Sequence, residues 1–359
     1  MSLNLLEFQR TTQQPMMLPG TVSQLAFSHN GNYLALAVGT RLIVVDVSTT
    51  ASEPEVVYSL EEESKITCIS WIRDLTVAHG SSTGRFVSST IVKDKDPVRL
   101  QISGFDAFEG TSVMAIDVNP DGRLLALAES QKVQVWEAVG GDHAVWDHRL
   151  SLSATHLKVS ICGLAWSPAG DTLHAWSPST IVWVAASFVP DSCLNKLTSG
   201  WSIASGKVCL QRGASADTYI ATLSTVSDTY LTATRGKNSQ ALTRHQLSTG
   251  IALASYEFQS SSTEVPVSFW RQGEGLLIGG LGIASLWLLD YDNHWLQDLL
   301  HEEDGRLLNA VTSHPKADLC ATAIQNQVYV WRAKLASRKN ECFNGWAYSQ
   351  GEMESRATL

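Results

Sequence analysis

Residues 22–47 read VSQLAFSHNGNYLALAVGTRLIVVDV, and this pattern of short apolar strands separated by tight turns returns along the chain. Two further clear copies are SVMAIDVNPDGRLLALAESQKVQVWE at residues 112–137 and NAVTSHPKADLCATAIQNQVYVWR at residues 309–332. Apolar and polar residues alternate in the first strand of each copy, which is the period of a half-buried β-strand. A unit of this size cannot bury its own faces, so we expect the copies to stack against one another.

The spacing of the copies predicts seven units. The residues that end the first strand of each unit are 43–48 positions apart, with one interval of 60: Phe27, Trp71, Val118, Trp166, Val226, Trp270 and Ser313. The long interval predicts an insertion in the fourth unit at residues 189–206, which we interpret as a surface loop because it is rich in Ser, Gly and Pro. The pairs Asn30-Gly31 and Asp121-Gly122 predict hairpin turns, because Asn and Gly accept positive φ at little cost.

The bulk composition argues against several classes of function. The chain has 359 residues, of which 44% are hydrophobic and 17% charged, and its net charge is −9. Direct nucleic-acid binding is not expected, because it needs clustered Lys and Arg. Neither a signal-peptide pattern nor an apolar run of membrane-spanning length is present in the sequence. The six cysteines form no CxxC pair, and Cys68, Cys162 and Cys320 fall among apolar residues of predicted strands, so we expect a reducing cytoplasmic or nuclear location.

The copies resemble WD40 repeats. The stretches that carry the resemblance are VNPDGRLLALA with VQVWE, LAWSPAGDTLHAW with IVWV, and VYVWR, at residues 118–128, 133–137, 164–176, 181–184 and 328–332. In that family a Trp closes the third strand, and the matching residues here are Trp136, Trp183, Trp287 and Trp331. The family's Gly-His pair and its turn Asp are absent, so we expect the side-chain network built on them not to form. The resemblance implies a β-propeller that serves as a non-catalytic platform for protein assembly.

The fold class that we expect is all-β, a seven-bladed β-propeller of four-stranded antiparallel blades in one domain at residues 1–333. The predicted blades lie at residues 21–60, 65–103, 111–152, 158–213, 217–258, 264–300 and 307–332 with 3–9. The N-terminal strand Leu3–Gln9 is expected to close the ring as the outer strand of the last blade, which covers two strand edges. The segment from Ala347 onward is the alternative source of that strand, and residues 334–359 are otherwise expected to form a flexible tail.

One motif suggests catalysis. Residues 80–84, GSSTG, match the G-x-S-x-G elbow of α/β-hydrolases, which needs a strand-to-helix turn under the serine. The motif lies between two predicted strands, so we interpret it as a Ser- and Gly-rich turn. A hydrolase centred on Ser82 ranks last of three functional hypotheses, after a protein-binding scaffold and a carbohydrate-binding propeller. The histidines match no metal motif, and Asp117 is the single carboxylate within a predicted first strand. We therefore predict that the protein is not an enzyme and holds no metal or cofactor.

The twelve tryptophans divide into core and surface candidates. Trp71, Trp166 and Trp270 share one repeat position, and such recurrence indicates packing between units. Trp176 and Trp201 lie outside the repeated positions, and we predict them to be exposed anchors for a partner. They also support the alternative hypothesis, a carbohydrate-binding propeller, since sugars stack on exposed indoles.

Charged residues concentrate on one predicted face, where the connections between blades (d–a) meet the turns between second and third strands (b–c). The predicted partner-binding residues are the acidic Glu61, Glu62, Glu63, Glu302, Glu303 and Asp304 and the basic Arg235 and Lys237. This polarity predicts a docking surface for a protein or a basic peptide, because charge steers partners and sets register. We expect a monomer or a subunit of a larger complex.

Overall fold

The structure is a computed structural model. It describes residues 6–11, 14–48, 54–92, 99–139, 145–153, 160–177, 180–190, 201–213, 218–224, 226–234, 240–258, 266–270, 273–280, 282–288, 295–301, 306–314 and 318–335. All of the regular elements in these residues are β-strands, and they form seven antiparallel sheets, numbered I to VII in chain order.

Sheets I to IV each contain four strands in chain order. Sheet I consists of β3 (Val22–Phe27), β4 (Tyr33–Val38), β5 (Arg41–Asp46) and β6 (Glu55–Glu61). Sheet II consists of β7 (Ile66–Arg73), β8 (Thr76–Ser81), β9 (Arg85–Val92) and β10 (Arg99–Asp106). Sheet III consists of β11 (Ala115–Val118), β12 (Leu124–Ala128), β13 (Lys132–Val139) and β14 (Val145–Ser153). Sheet IV consists of β15 (Gly163–Trp166), β16 (Leu173–Ser177), β17 (Thr180–Pro190) and β18 (Trp201–Gly213).

Sheets V and VI repeat this order, and sheet VII combines the two ends of the described chain. Sheet V consists of β19 (Thr218–Ser224), β20 (Thr229–Thr234), β21 (Gln240–Gln246) and β22 (Ala252–Phe258). Sheet VI consists of β23 (Val267–Trp270), β24 (Gly275–Gly279), β25 (Ile283–Leu288) and β26 (Trp295–Leu300). Sheet VII consists of β27 (Ala310–Ser313), β28 (Leu319–Ile324), β29 (Gln327–Leu335), β1 (Leu6–Arg10) and β2 (Met16–Met17).

The N-terminal strand β1 occupies the outer position of sheet VII. It pairs with β29 in antiparallel register, so that Leu6 faces Leu335 and Arg10 faces Trp331. The short strand β2 pairs with the other end of β29. We expected the N-terminal strand at this position, and residues 3–5 of the expected range lie outside the described residues.

Apolar side chains fill the space between neighbouring sheets. The second strands show this best, since every residue of β4, β12 and β28 is buried. A strand that is buried on both faces must lie between two other layers. The apolar clusters join sheet I to II, II to III, III to IV, IV to V, V to VI and VI to VII, and one further cluster joins VII to I.

The local turn signals are confirmed. Gly31 and Gly122 adopt φ values of 72° and 73° in the turns that join the first two strands of sheets I and III. The sequence predicts the strands of sheet I at residues 22–28, 33–38, 41–47 and 56–60, and the observed strands differ from these ranges by at most one residue at each end. Alternation of apolar residues and a turn dipeptide are local signals, so the sequence carries them directly.

Three expectations are wrong in detail. The insertion in the fourth unit does not form a loop over residues 189–206, because β17 and β18 continue their pairing until Pro190 faces Trp201. Cys162 is exposed and precedes β15, whereas Cys68 and Cys320 are buried on strands as expected. The first strand of sheet V ends at Ser224, and Val226 lies after it with 54% of its surface exposed.

Candidate functional site

A cleft of about 630 Å³ lies at the end of sheet I where the b–c turn meets the d–a connections. Its lining comes from the segment before β3, the β4–β5 turn and the two ends of the β6–β7 connection. The lining residues are Pro19, Gly20, Thr21, Ser23, Val38, Gly39, Thr40, Arg41, Glu61 and Lys65. One of the predicted partner-binding residues, Glu61, is part of this lining.

Glu61 is held by two neighbours across the cleft. Thr40 Oγ1 donates a hydrogen bond of 2.6 Å to Glu61 Oε1, and Arg41 Nε donates to Glu61 Oε2. The Thr40 hydrogen bond, followed by the Arg41 guanidinium, lowers the pKa of Glu61 below its ordinary value of 4.5. Glu61 therefore stays ionised at neutral pH and orients the Arg41 side chain.

Glu62 points away from the cleft and into the interface between sheets I and II. Its Oε1 lies 3.1 Å from Nε2 of His79, a fully buried residue on β8. Burial lowers the pKa of His79 below 6.5, whereas the Glu62 carboxylate raises it and Arg85 lowers it further.

Glu63 is exposed, so the three acidic residues of this connection have three different environments. Of the other predicted site residues, Arg235, Lys237, Glu302, Glu303 and Asp304 lie outside the described residues. Lys65 and residues 19–21 were missed. A signal existed for them, since they lie directly before the first strands of sheets II and I.

Trp176 is not an exposed anchor, and that expectation is wrong. Its side chain is buried between sheets IV and V in a cluster with Leu223, Tyr230 and Leu247. The ring lies over Gly163, where a Cβ atom would come within 2.0 Å of Trp176 Cζ2. The site is closed to a sugar or a partner because a neighbouring sheet covers it. Trp201 is the first residue of β18, and the structure gives no description of its side chain.

The GSSTG motif forms the hairpin turn between β8 and β9. Gly84 N donates to Ser81 O over 3.2 Å, and Gly84 takes a φ of 92°. Gly80 is packed so closely that a Cβ atom would lie 2.5 Å from Cβ of Val113. Packing and turn geometry therefore explain both glycines, and a strand follows the serine where the elbow of a hydrolase needs a helix.

A buried hydrogen-bond chain links sheets VI and VII. Trp331 Nε1 donates to Thr322 Oγ1 over 3.0 Å, Thr322 Oγ1 lies 2.7 Å from His301 Nε2, and His301 Nδ1 lies 3.0 Å from Gly282 O. Since Trp only donates and a carbonyl only accepts, His301 donates from Nδ1 and accepts at Nε2. No carboxylate takes part in these three contacts, and Nδ1 of His301 donates to the backbone carbonyl of Gly282.

Glu62 and His301 occupy equivalent positions in their sheets. Each is the first residue after the fourth strand, and its N–H donates to the b–c turn of the same sheet, at Thr40 O over 2.9 Å and Gly282 O over 3.0 Å. Each side chain then reaches the second strand of the next sheet, at His79 or Thr322. The same position in sheet II is the buried Ala107, whose N–H donates to Gly84 O over 3.0 Å. This position therefore accepts either a polar link between sheets or an apolar contact.

Asp117 joins the first strands of sheets III and IV. Its Oδ2 accepts a hydrogen bond of 2.7 Å from Trp166 N. Burial raises the pKa of Asp117 to about 7, although the N–H groups of Trp166 and Val118 act in the opposite direction. Asp117 therefore acts as a link between the two strands.

The described residues contain neither a metal-binding cluster nor a membrane-spanning helix. No group of three or more His, Cys, Asp or Glu side chains in that part of the chain is placed to hold a metal ion. Within the same residues, no helix is long and apolar enough to cross a membrane.

Comparison with known proteins assigns no family. No protein-family model matches the chain, and no curated protein is significantly similar to it.

Proposed function

We propose that the chain is a seven-bladed β-propeller of the WD40 type that acts as a non-catalytic scaffold for protein binding in the cytoplasm or nucleus. The proposal of a closed ring is based on the apolar clusters that link each sheet to the next, and above all on the cluster between sheets VII and I. In that cluster Val22 and Leu34 of sheet I pack with Leu319 and Val330 of sheet VII. An arrangement in which the last unit contacts the first is the one that a ring requires.

The proposal that the protein binds a partner is based on the cleft beside Glu61. It lies on the face where the d–a and b–c connections meet, and its volume of about 630 Å³ accommodates several side chains of a bound peptide. Loops on a rigid sheet scaffold are the usual place for binding residues. The GSSTG hairpin supports the non-catalytic part, since Ser82 lies in a tight turn between two strands.

The experiment is an affinity capture with the intact chain and two matched tryptophan variants. Thr21→Trp fills the cleft with an indole, and Asp74→Trp places the same side chain in the β7–β8 turn, at the opposite end of the strands. Both positions are exposed, so both variants should fold. We expect Thr21→Trp to lose a discrete set of proteins that Asp74→Trp retains. Identical sets for all three forms would rule out this cleft as the binding site.

A further inference from the structure

The cleft contains two cationic side chains, Arg41 and Lys65, with donors that no other described residue uses. Arg41 uses Nε for Glu61, and a guanidinium carries four further N–H donors on its two Nη atoms. Among the described residues, Arg41 makes no side-chain hydrogen bond except to Glu61, and the exposed Lys65 ammonium makes none. The donors of both side chains are therefore available to a ligand in the cleft.

Two of the three carboxylates in the acidic run near the cleft already have partners. Both oxygens of Glu61 accept hydrogen bonds, from Thr40 and Arg41, and the carboxylate of Glu62 is turned toward the buried His79. A carboxylate paired in this way offers little attraction to a basic ligand. The acidic run in the sequence favoured a basic peptide, but two of its three carboxylates are directed to partners within the chain.

We propose that this cleft binds an acidic segment of a partner protein, whose Asp or Glu carboxylates are received by the Nη atoms of Arg41 and by Nζ of Lys65. A guanidinium already fixed through Nε presents its outer edge in a defined orientation, which suits a carboxylate. The inference rests on the proposed function and names the chemistry of the partner at the same site. Glu61 is then a positioning residue for Arg41.

A peptide fits this cleft better than a small apolar molecule. Small-molecule pockets are lined mainly by hydrophobic and aromatic side chains, whereas Pro19 and Val38 are the only large apolar residues in this lining. Gly39 has open space around its Cα, so a bound chain can approach the backbone there. A polar, open lining with glycine backbone is suited to an extended segment that brings its own side chains.

The test uses three fluorescent synthetic peptides that differ only in one type of residue, which is acidic Glu, neutral Gln or basic Lys. Anisotropy titrations with the intact chain should show saturable binding of the Glu peptide alone, weakened by added salt. Lys65→Gln and Arg41→Gln should each weaken it about tenfold, equivalent to about 1.4 kcal/mol. Arg73→Gln is the matched control, because Arg73 is exposed at the opposite end of β7 and should leave the affinity unchanged.

The outcomes separate this inference from the proposed function. Tighter binding of the Lys peptide, or binding of the Glu peptide that ignores Arg41 and Lys65, overturns the acidic partner. If the Glu peptide fails to bind while Thr21→Trp still loses captured proteins, the cleft binds a partner of other chemistry and only this inference fails. If Thr21→Trp loses no protein and the Glu peptide also fails to bind, both proposals fall. Captured proteins that are lost with Thr21→Trp and also displaced by the Glu peptide support both.

Discussion

Nε2 of His79 lies 3.1 Å from Oε1 of Glu62, and this contact crosses the interface between sheets I and II. His79 has no exposed surface, and Glu62 begins the connection that leads from one sheet to the next. Burial disfavours the charged imidazole and lowers its pKa, while the carboxylate offsets part of that effect. The pair therefore makes the interface sensitive to acid.

We predict that the protein loses stability as the pH falls below 6.5, the ordinary pKa of histidine. Unfolded His79 takes up a proton there, whereas folded His79 resists it, so protonation favours the unfolded chain. Buried His174 and His301, whose pKa values burial lowers to about 4, add to this loss between pH 6.5 and 4. Urea unfolding at a series of pH values measures it. His79→Gln should reduce the slope with pH, and an equal slope would contradict the prediction. The exposed His148 provides the control, His148→Gln.

Asp117 should show the opposite dependence on pH. Its folded pKa is about 7 against an ordinary value of 3.8, so the folded state holds the proton more tightly and stability from this group falls as the pH rises between these values. Asp117→Asn keeps an oxygen that can accept from Trp166 N and removes the ionisation. We expect the variant to gain stability relative to the wild type as the pH rises from 4 to 7, in the same urea titrations. A loss that grows with pH would show that the ionised carboxylate stabilises the fold.

The features that could be predicted from sequence are local ones. The strands of sheet I follow from apolar alternation and the Asn30-Gly31 turn, because both act within a few residues. The position of β1 also follows from the sequence, since a last unit with three strands needs a fourth. For the site, the acidic run before β7 marked Glu61, which lines the cleft.

The features that sequence analysis missed depend on distant partners. Trp176 was expected to be exposed because nothing near it in the chain shows that Leu223 and Tyr230 cover it. The partner of His301 Nδ1 is a backbone carbonyl, which every residue has, so no sequence pattern marks it. The sequence also did not show that the cleft offers positive rather than negative groups to a ligand. This depends on which carboxylates are turned toward partners within the chain.

Thr322 should be the residue of the buried hydrogen-bond chain between sheets VI and VII that is most sensitive to substitution. Thr322→Val keeps the shape but leaves Trp331 Nε1 and His301 Nε2 buried without partners, which we expect to cost about 2 kcal/mol or more. Thr322→Ser keeps the hydroxyl and loses one methyl group, at about 0.8 kcal/mol. Urea unfolding gives both values. A smaller cost for valine than for serine would show that methyl packing outweighs the hydrogen bonds.

Gly163 should tolerate no side chain beneath Trp176. A Cβ atom at this position would lie 2.0 Å from Trp176 Cζ2, so Gly163→Ala forces the indole or the strand to move. Overpacking of this kind costs about 1–3 kcal/mol. A double-mutant cycle with Trp176→Leu measures the clash, because the smaller side chain leaves room for the methyl group. We expect Gly163→Ala to cost at least about 1 kcal/mol less in that background. Equal costs would place the strain elsewhere.

The outer edge of β1 depends on one side chain of sheet VI. Phe8 N donates to Gln297 Oε1 over 2.8 Å, and Gln297 Nε2 donates to Phe8 O over 2.9 Å, so one amide covers both backbone groups. The Phe8 ring packs edge-on against Trp270 with centroids 5.5 Å apart. Gln297→Ala should cost about 1–2 kcal/mol for the two hydrogen bonds, and Phe8→Ala about 3–5 kcal/mol for the buried ring.

Gln297→Glu provides the matched control, because a carboxylate still accepts from Phe8 N but cannot donate to Phe8 O. We expect a loss of stability between those of the wild type and Gln297→Ala. Hydrogen exchange of residues 6–10 follows β1 directly, and its amides should exchange faster in Gln297→Ala while those of β28 stay protected. Unchanged protection of β1 would mean that its pairing with β29 holds the strand without the amide of sheet VI.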